Sequence, residues 1–139
     1  MKKSELDLSL LKNCFETLKE CYSDYTNQSD EKLRIYIKDS CIKRFEYTYE
    51  TAKKIMNKYL KKEYDKTEKD LSINNIFREM FALGLIKDFE NWAEYREKRN
   101  TTAHEYDIKK TYPIIEIIPK FIDDVDFFIT NIEKVLTND

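Results

Sequence analysis

Glycine is almost missing from this 139-residue chain: there is one, Gly84, and there are two prolines, Pro113 and Pro119. β-Sandwiches and barrels turn tightly many times and draw on both residues, so their scarcity argues for long helices with short connections. No stretch of about 18 apolar residues occurs, and the opening "MKKSELDLSLLKNCFETLKE" has no uninterrupted apolar core, so neither a membrane span nor a secretory signal is expected. Cys14, Cys21 and Cys41 show no CxxC and no Cys/His ligand spacing. They read as free thiols in a reducing, cytoplasmic compartment, and the seven-residue step from Cys14 to Cys21 fits small buried hydrophobes on a helix. A glycine-rich phosphate loop and a GxSxG elbow are both absent, which argues against ATP hydrolysis and serine-triad chemistry. With a formal net charge of −2 the chain is no polycation, so any nucleic-acid site must be local.

What is present is 41% hydrophobic and 37% charged residues, with ten Tyr and eight Phe, which points to an aromatic core. The length fits one domain, residues 1–139, able to bury roughly two thirds of the surface that its unfolded form exposes. A first helix is expected from about Ser4 to Tyr25, with Leu8, Leu11, Phe15, Leu18 and Tyr22 as its stripe. Ser29 or Asp30 can cap a second, to about Lys62, lined by Leu33, Ile37, Cys41, Phe45, Thr48, Ala52, Ile55, Met56 and Tyr59. Thirty residues at 1.5 Å each span roughly 45 Å or more, longer than a small core needs, and the surplus hints at a partner chain or an exposed helix. "KKEYDKTEKD" is a charged linker; Ser72 can cap a third helix ending at Gly84, and Asp88 a fourth. The last helix ends near Leu136 on a face of Ile114, Ile118, Phe121, Ile122, Val125, Ile129, Ile132 and Leu136. Either Asp107 or Thr111 could cap it; Thr111 would put Pro113 in the tolerated first turn, and Pro119 should bend it in both cases. The expected architecture is all-α, an antiparallel four-helix bundle with an additional short helix.

The chemistry concentrates in "REKRNTTAHEYD", residues 96–107, which holds the only histidine, His104. On one continuous helix Arg99 and His104 point about 140° apart. Asn100 and the weak helix formers Thr101 and Thr102 would permit a break that lets the two side chains meet. A histidine titrating near neutrality beside a guanidinium fork suits phosphodiester cleavage, where one group moves a proton and the other holds developing charge. The plainer alternative is a histidine capping a helix end beside a surface arginine. Trp92, Arg96 and Arg99 share one face; they can stack on RNA, or Trp92 can fill the core while the arginines snorkel past it. Glu46 and Glu50 form an i,i+4 acid pair that could take Mg²⁺, orient a catalytic arginine, or lie in a solvated face or partly buried ion pair. No other acidic or histidine cluster has metal-ligand spacing, and no metal or cofactor is expected. Lys43, Arg44, Arg96, Arg99, Lys109 and Lys110 are the basic groups expected near an RNA site, whose binding would then weaken with salt.

"KRFEYTYETAKKIMNKYL" followed by "REMFALGLIKDFENWAEYREKRNTTAHEYD" resembles the HEPN superfamily, within it the nucleotidyltransferase substrate-binding branch that includes the HepT toxins of MNT–HEPN toxin–antitoxin pairs. The resemblance covers nearly the whole chain. It rests on Arg44–Glu46, the Gly84–Ile86 turn, Trp92, and above all Arg99, Asn100, His104 and Tyr106. It implies a homodimer with two motifs facing across a cleft and a metal-independent endoribonuclease that promotes attack of an RNA 2′-hydroxyl on the adjacent phosphate. His104 would be the acid/base, Arg99 the charge stabiliser and Asn100 the orienting group. Tyr106 matches the position where a cognate minimal nucleotidyltransferase, the antitoxin, adds AMP; a bulky anion two residues from His104 would repel an RNA phosphate. The branch's older label implies a different role, a non-catalytic subunit presenting substrate to that nucleotidyltransferase.

Overall fold

The computed structural model describes residues 6–104 and 108–138, with the backbone alone over 101–104 and 108–113. Five helices follow one another: α1 (Ser9–Asn27), α2 (Glu31–Tyr64), α3 (Ile73–Ala82), α4 (Phe89–His104) and α5 (Ile108–Thr137). No strand occurs among the described residues. Four long helices form the antiparallel bundle and α3 is the short additional one.

Local chemistry sets most helix ends. Asp30 caps α2, its Oδ1 accepting from the backbone N–H groups of Lys32 at 3.0 Å and Leu33 at 3.1 Å. Asp88 does the same for α4, accepting from Glu90 at 2.7 Å and Asn91 at 3.1 Å. Ser72 Oγ accepts from Asn75 N–H at the start of α3. Each such cap contributes about 1 kcal/mol. Gly84, at φ +74°, closes α3: the Leu85 N–H reaches back to the Met80 carbonyl at 3.0 Å, satisfying an end carbonyl as a left-handed residue permits.

Two boundaries differ from expectation, and a third matches one of the two starts that the sequence left open. α1 starts at Ser9 rather than Ser4, because Asp7 Oδ1 takes the Ser9 N–H at 2.8 Å while Leu6 and Leu8 fold into the core. α4 continues unbroken through Asn100, Thr101 and Thr102 to His104. The low propensity of two threonines costs only a few tenths of a kcal/mol each relative to ordinary residues, too little to end a helix that gains a backbone bond at every step. α5 begins at Ile108, the start that Asp107 as cap would give, so Pro113 lies inside it; the caps proposed at 107 and 111 lie outside the described side chains.

α2 is the axis of the fold and touches all four other helices. That is why its buried surface is wider than one stripe and takes in Ile42, Tyr49 and Leu60 as well. Leu33 is 47% exposed despite its place in the expected stripe. Arg34 takes the position facing α1 instead, its Nε donating to the Tyr25 carbonyl at 3.2 Å with the guanidinium over the Tyr25 ring. Trp92 is fully buried at the centre, ringed by Tyr49, Phe77, Tyr95, Phe121 and Phe128 with centroids 5.5 to 6.4 Å away. On α5, Phe128 and Ile115 join the expected apolar face.

One carboxylate sits in that core. Asp124 on α5 is 3% exposed and accepts from the Tyr95 hydroxyl and from Asn91 Nδ2 at 3.2 Å, with Lys87 Nζ 3.9 Å from its other oxygen. A buried carboxylate is tolerated when paired and hydrogen-bonded, and two donors from α4 with the Lys87 ammonium from the turn before it meet that condition.

Candidate functional site: a guanidinium held between α2 and α4

Successive turns of α2 present Glu46 and Glu50 toward α4, and Arg99 reaches back to both. Its Nε lies 3.3 Å from Glu50 Oε1 and a terminal nitrogen 3.7 Å from Glu46 Oε2. All three side chains are largely withdrawn from solvent, Glu46 most of all, with 13% of its side chain exposed. The acid pair thus meets a cation belonging to the chain itself. Among the described residues no group of three or more metal-ligating side chains comes together.

More cations gather on the same face. Lys43 Nζ is 3.6 Å from Glu46 Oε1, and Lys53 Nζ is 3.3 Å from Glu50 Oε2 while lying over the Tyr49 ring at 5.9 Å. Arg96, one turn before Arg99, is half-buried, and its Nε has no hydrogen-bond partner among the described residues. Lys43, Lys53, Arg96 and Arg99 therefore stand against Glu46 and Glu50, leaving a local positive excess on a chain whose total charge is −2. Burial pushes the Tyr49 phenol up and Glu50 adds to it, while Arg96 and Arg99 pull the other way, so that hydroxyl sits within the field of the same cluster. Arginines beside a developing or resident phosphate charge supply donors in a fork that matches its oxygens.

The other sequence candidates fall in different places. Trp92 is the floor of the site from inside the core, not an exposed stacking surface. Asn100 is exposed on the last turns of α4. Arg44 lies about 200° around α2 from Glu46 and faces α1, lining a cavity with Glu20 and Cys21, its Nε donating to Ser40 Oγ at 3.3 Å. Within one chain it does not join Arg99. His104 is the last residue of α4 and its side chain, with those of Lys109 and Lys110, lies outside the described set, as does Tyr106 altogether. Because the helix is continuous, positions 99 and 104 leave it about 140° apart and roughly 7.5 Å along the axis.

Two polar residues of the structure, Lys53 and Asp124, are not among the candidates that the sequence offers. For Asp124 a signal existed: it falls three after Phe121 and four before Phe128, on the buried face of α5.

Five helices around an aromatic core, with a polar face between α2 and α4, define a helical bundle of restricted kind. Residues 6–134 match the family described as nucleotidyltransferase substrate binding protein like, and the chain belongs to that family. A curated relative, "Probable ribonuclease HepT" of Haemophilus influenzae, is 31% identical over 96 residues, 67% of this chain and 65% of the relative's length. A solved structure from Haemophilus influenzae, reported as revealing the fold of a substrate binding domain of a nucleotidyltransferase, matches with a TM-score of 0.83 at 25% identity, covering 91% of this chain and 99% of that one. A crystal structure from Thermus thermophilus shares the fold, with a TM-score of 0.73 at 22% identity over 88% of this chain and 98% of the other.

Proposed function

We propose that this chain is a metal-independent endoribonuclease, the toxin of a toxin–antitoxin pair, acting as a homodimer. The observation that carries this reading is Arg99 held by Glu46 and Glu50 within a cation-rich face at the base of the RN-xxx-H-x-Y string. The relative named a probable ribonuclease supports it. In the proposed reaction His104 takes the proton of an RNA 2′-hydroxyl as that oxygen attacks the adjacent phosphate, and returns a proton to the leaving oxygen. Arg99 stabilises the charge that develops on the phosphorus-bound oxygens, and Asn100 orients the site. Lys43 and Arg96 attract the RNA backbone, joined by Lys109 and Lys110; Arg44 would serve only RNA that reaches the α1 side.

The continuity of α4, from which Arg99 and His104 leave on different sides, supports a site completed by a second copy. The complementary surface proposed is on α2. Leu33 and Tyr47 are 47% and 62% exposed and lie within about 40° of one another around the helix, beside Lys43. An exposed apolar stripe of this kind suits a self-association surface. Silencing would come from a partner nucleotidyltransferase that places AMP on Tyr106, setting an anion where the RNA phosphate must lie.

The test is cleavage of RNA by purified protein carrying no AMP, in the presence of EDTA. Cleavage lost in both Arg99→Ala and His104→Ala supports the reading; intact RNA with dimeric, unmodified wild-type protein overturns it. The family description favours a second reading, a non-catalytic subunit that binds substrate for a minimal nucleotidyltransferase. Intact mass after coexpression with that partner separates the two: added AMP on Tyr106 supports the toxin, and a stable unmodified complex with no nuclease activity supports the binding subunit.

A further inference from the structure

Away from the α2–α4 face, helices α1 and α2 bring two sulfurs together. Cys21 Sγ and Cys41 Sγ lie 3.1 Å apart, from positions 20 residues apart in the chain. Both are free thiols. A disulfide holds its sulfurs at about 2.05 Å, so a side-chain movement of about 1 Å separates this arrangement from a bond. The two sulfurs are not equivalent. Cys21 is 9% exposed and lines an open cavity of about 340 Å³ between the two helices, together with Thr17, Tyr36, Ser40 and Arg44. Cys41 is fully buried behind it. Cys14, two turns before Cys21, is the contrasting case: its sulfur is 4.0 Å from Thr51 Oγ1 and pairs with no other sulfur.

We infer that Cys21 and Cys41 form a dithiol modification site that low-molecular-weight disulfides reach through the α1–α2 cavity and convert into a helix-to-helix cross-link. The exchange proceeds in two steps. Cys21, after releasing its proton to solvent, attacks one sulfur of the reagent, forming a mixed disulfide and expelling the reagent's other half as a thiolate. Cys41 then releases its proton and attacks Cys21 Sγ, forming the Cys21–Cys41 bond and expelling the second reagent thiolate. The protein loses two protons and two electrons, and the reagent disulfide gains them as two thiols. The order follows from access, and burial, with the neighbouring Cys21 thiol adding to it, also pushes the Cys41 thiol up, so Cys41 is the slower of the two to react. The weak bond from Cys21 Sγ to the Ile37 carbonyl, at 3.6 Å, is given up when the cross-link forms. The product pins α1 to α2 across the hairpin that joins them and constrains the unfolded chain, so the oxidised form melts higher than the reduced one.

The experiment is to incubate the reduced full chain with oxidised glutathione and measure intact mass and a non-reduced peptide map. The expected product has lost the mass of two hydrogen atoms and yields one peptide pair linked through Cys21 and Cys41. Cys14→Ser should give the same product, and a thiol reductant should reverse it. Cys41→Ser should instead stop at a glutathione adduct on Cys21. The inference is overturned if the wild-type map shows Cys21 and Cys41 unlinked in a sample where Cys14 has reacted, or if the bond found involves Cys14. The peptide map of the wild type decides the matter even if a serine at the buried position 41 unfolds the chain.

Discussion

Glu50 Oε1 lies 3.3 Å from Arg99 Nε, across the interface of two helices and 49 positions apart in sequence. With Glu46 Oε2 3.7 Å from a terminal nitrogen, two carboxylates flank the guanidinium. A group aimed in advance loses less freedom when it acts than one that must be ordered at the moment of reaction. Under the ribonuclease reading, replacing both carboxylates by Glu46→Gln and Glu50→Gln should lower kcat by about tenfold to a hundredfold, with KM changing less. The fold should lose only about 1 kcal/mol, since the contact is partly solvent-screened. Single-turnover cleavage and urea denaturation on the same samples check this. An unchanged kcat in the double variant would remove the carboxylates from the mechanism without touching Arg99 itself.

Asp124 gives a stability prediction independent of function. Asp124→Ala leaves the Tyr95 hydroxyl and the Asn91 amide without their acceptor, at a cost of about 3 kcal/mol. Tyr95→Phe should cost about 1–2 kcal/mol, because Asn91 and Lys87 still face the carboxylate. The double variant should lose less than the sum of the two, as expected for groups that share one hydrogen bond. Chemical denaturation of the four proteins measures the coupling, and strict additivity would contradict the contact.

High pH should weaken the fold before the helices themselves are affected. Burial raises the Tyr95 phenol first, with the hydrogen bond to Asp124 and its charge adding to the effect; burial and Glu50 raise Tyr49. The folded chain then keeps protons that the unfolded chain gives up near the ordinary tyrosine value of 10.0. Their contribution is fully present below that value and falls as pH rises through it, by about 1.4 kcal/mol per pH unit for each such phenol. Tyr95→Phe should reduce that slope by one phenol's share. Urea midpoints followed from neutrality to about pH 11 would show it, and equal slopes in the two proteins would refute it.

Gly84→Ala isolates a backbone effect. A Cβ built at this position meets nothing within 4 Å, so no packing clash arises. The left-handed φ of +74° remains, and an alanine there should cost about 1–2 kcal/mol with helical content unchanged. Thermal melts by circular dichroism give both quantities, and a collapse of the signal would point to a tertiary role for this turn.

What could be read from the chain and what could not divides by range. Asp30, Ser72 and Asp88 were legible as caps because a cap bonds residues two or three positions away. The bundle was legible from apolar spacing in the same way. Leu33 misled because its exposure depends on which neighbour turns toward α1, and Arg34 wins that place through Tyr25. The Glu46–Glu50–Arg99 cluster was visible only as parts: an acid pair on one helix and an arginine on another, with nothing local to join them. Arg44 was grouped with Arg99 by charge, whereas the helix turns it toward Cys21 and Glu20. The break that Thr101 and Thr102 would permit does not occur, since their local preference is small beside a helix already running.

The unbroken course of α4 makes the gap between Arg99 and His104 an angle before it is a length. Each residue inserted between them turns everything beyond by about 100° while advancing it only about 1.5 Å. One extra residue would leave every side chain chemically intact and aim position 104 at a different quadrant. Four would bring it back to within about 40° of its original bearing, one turn further along. Under the ribonuclease reading, tolerance of this segment to insertion should therefore rise and fall with the helical period rather than decline steadily, and the number of residues between Arg99 and His104 should matter more than the identity of Thr101, Thr102 and Ala103.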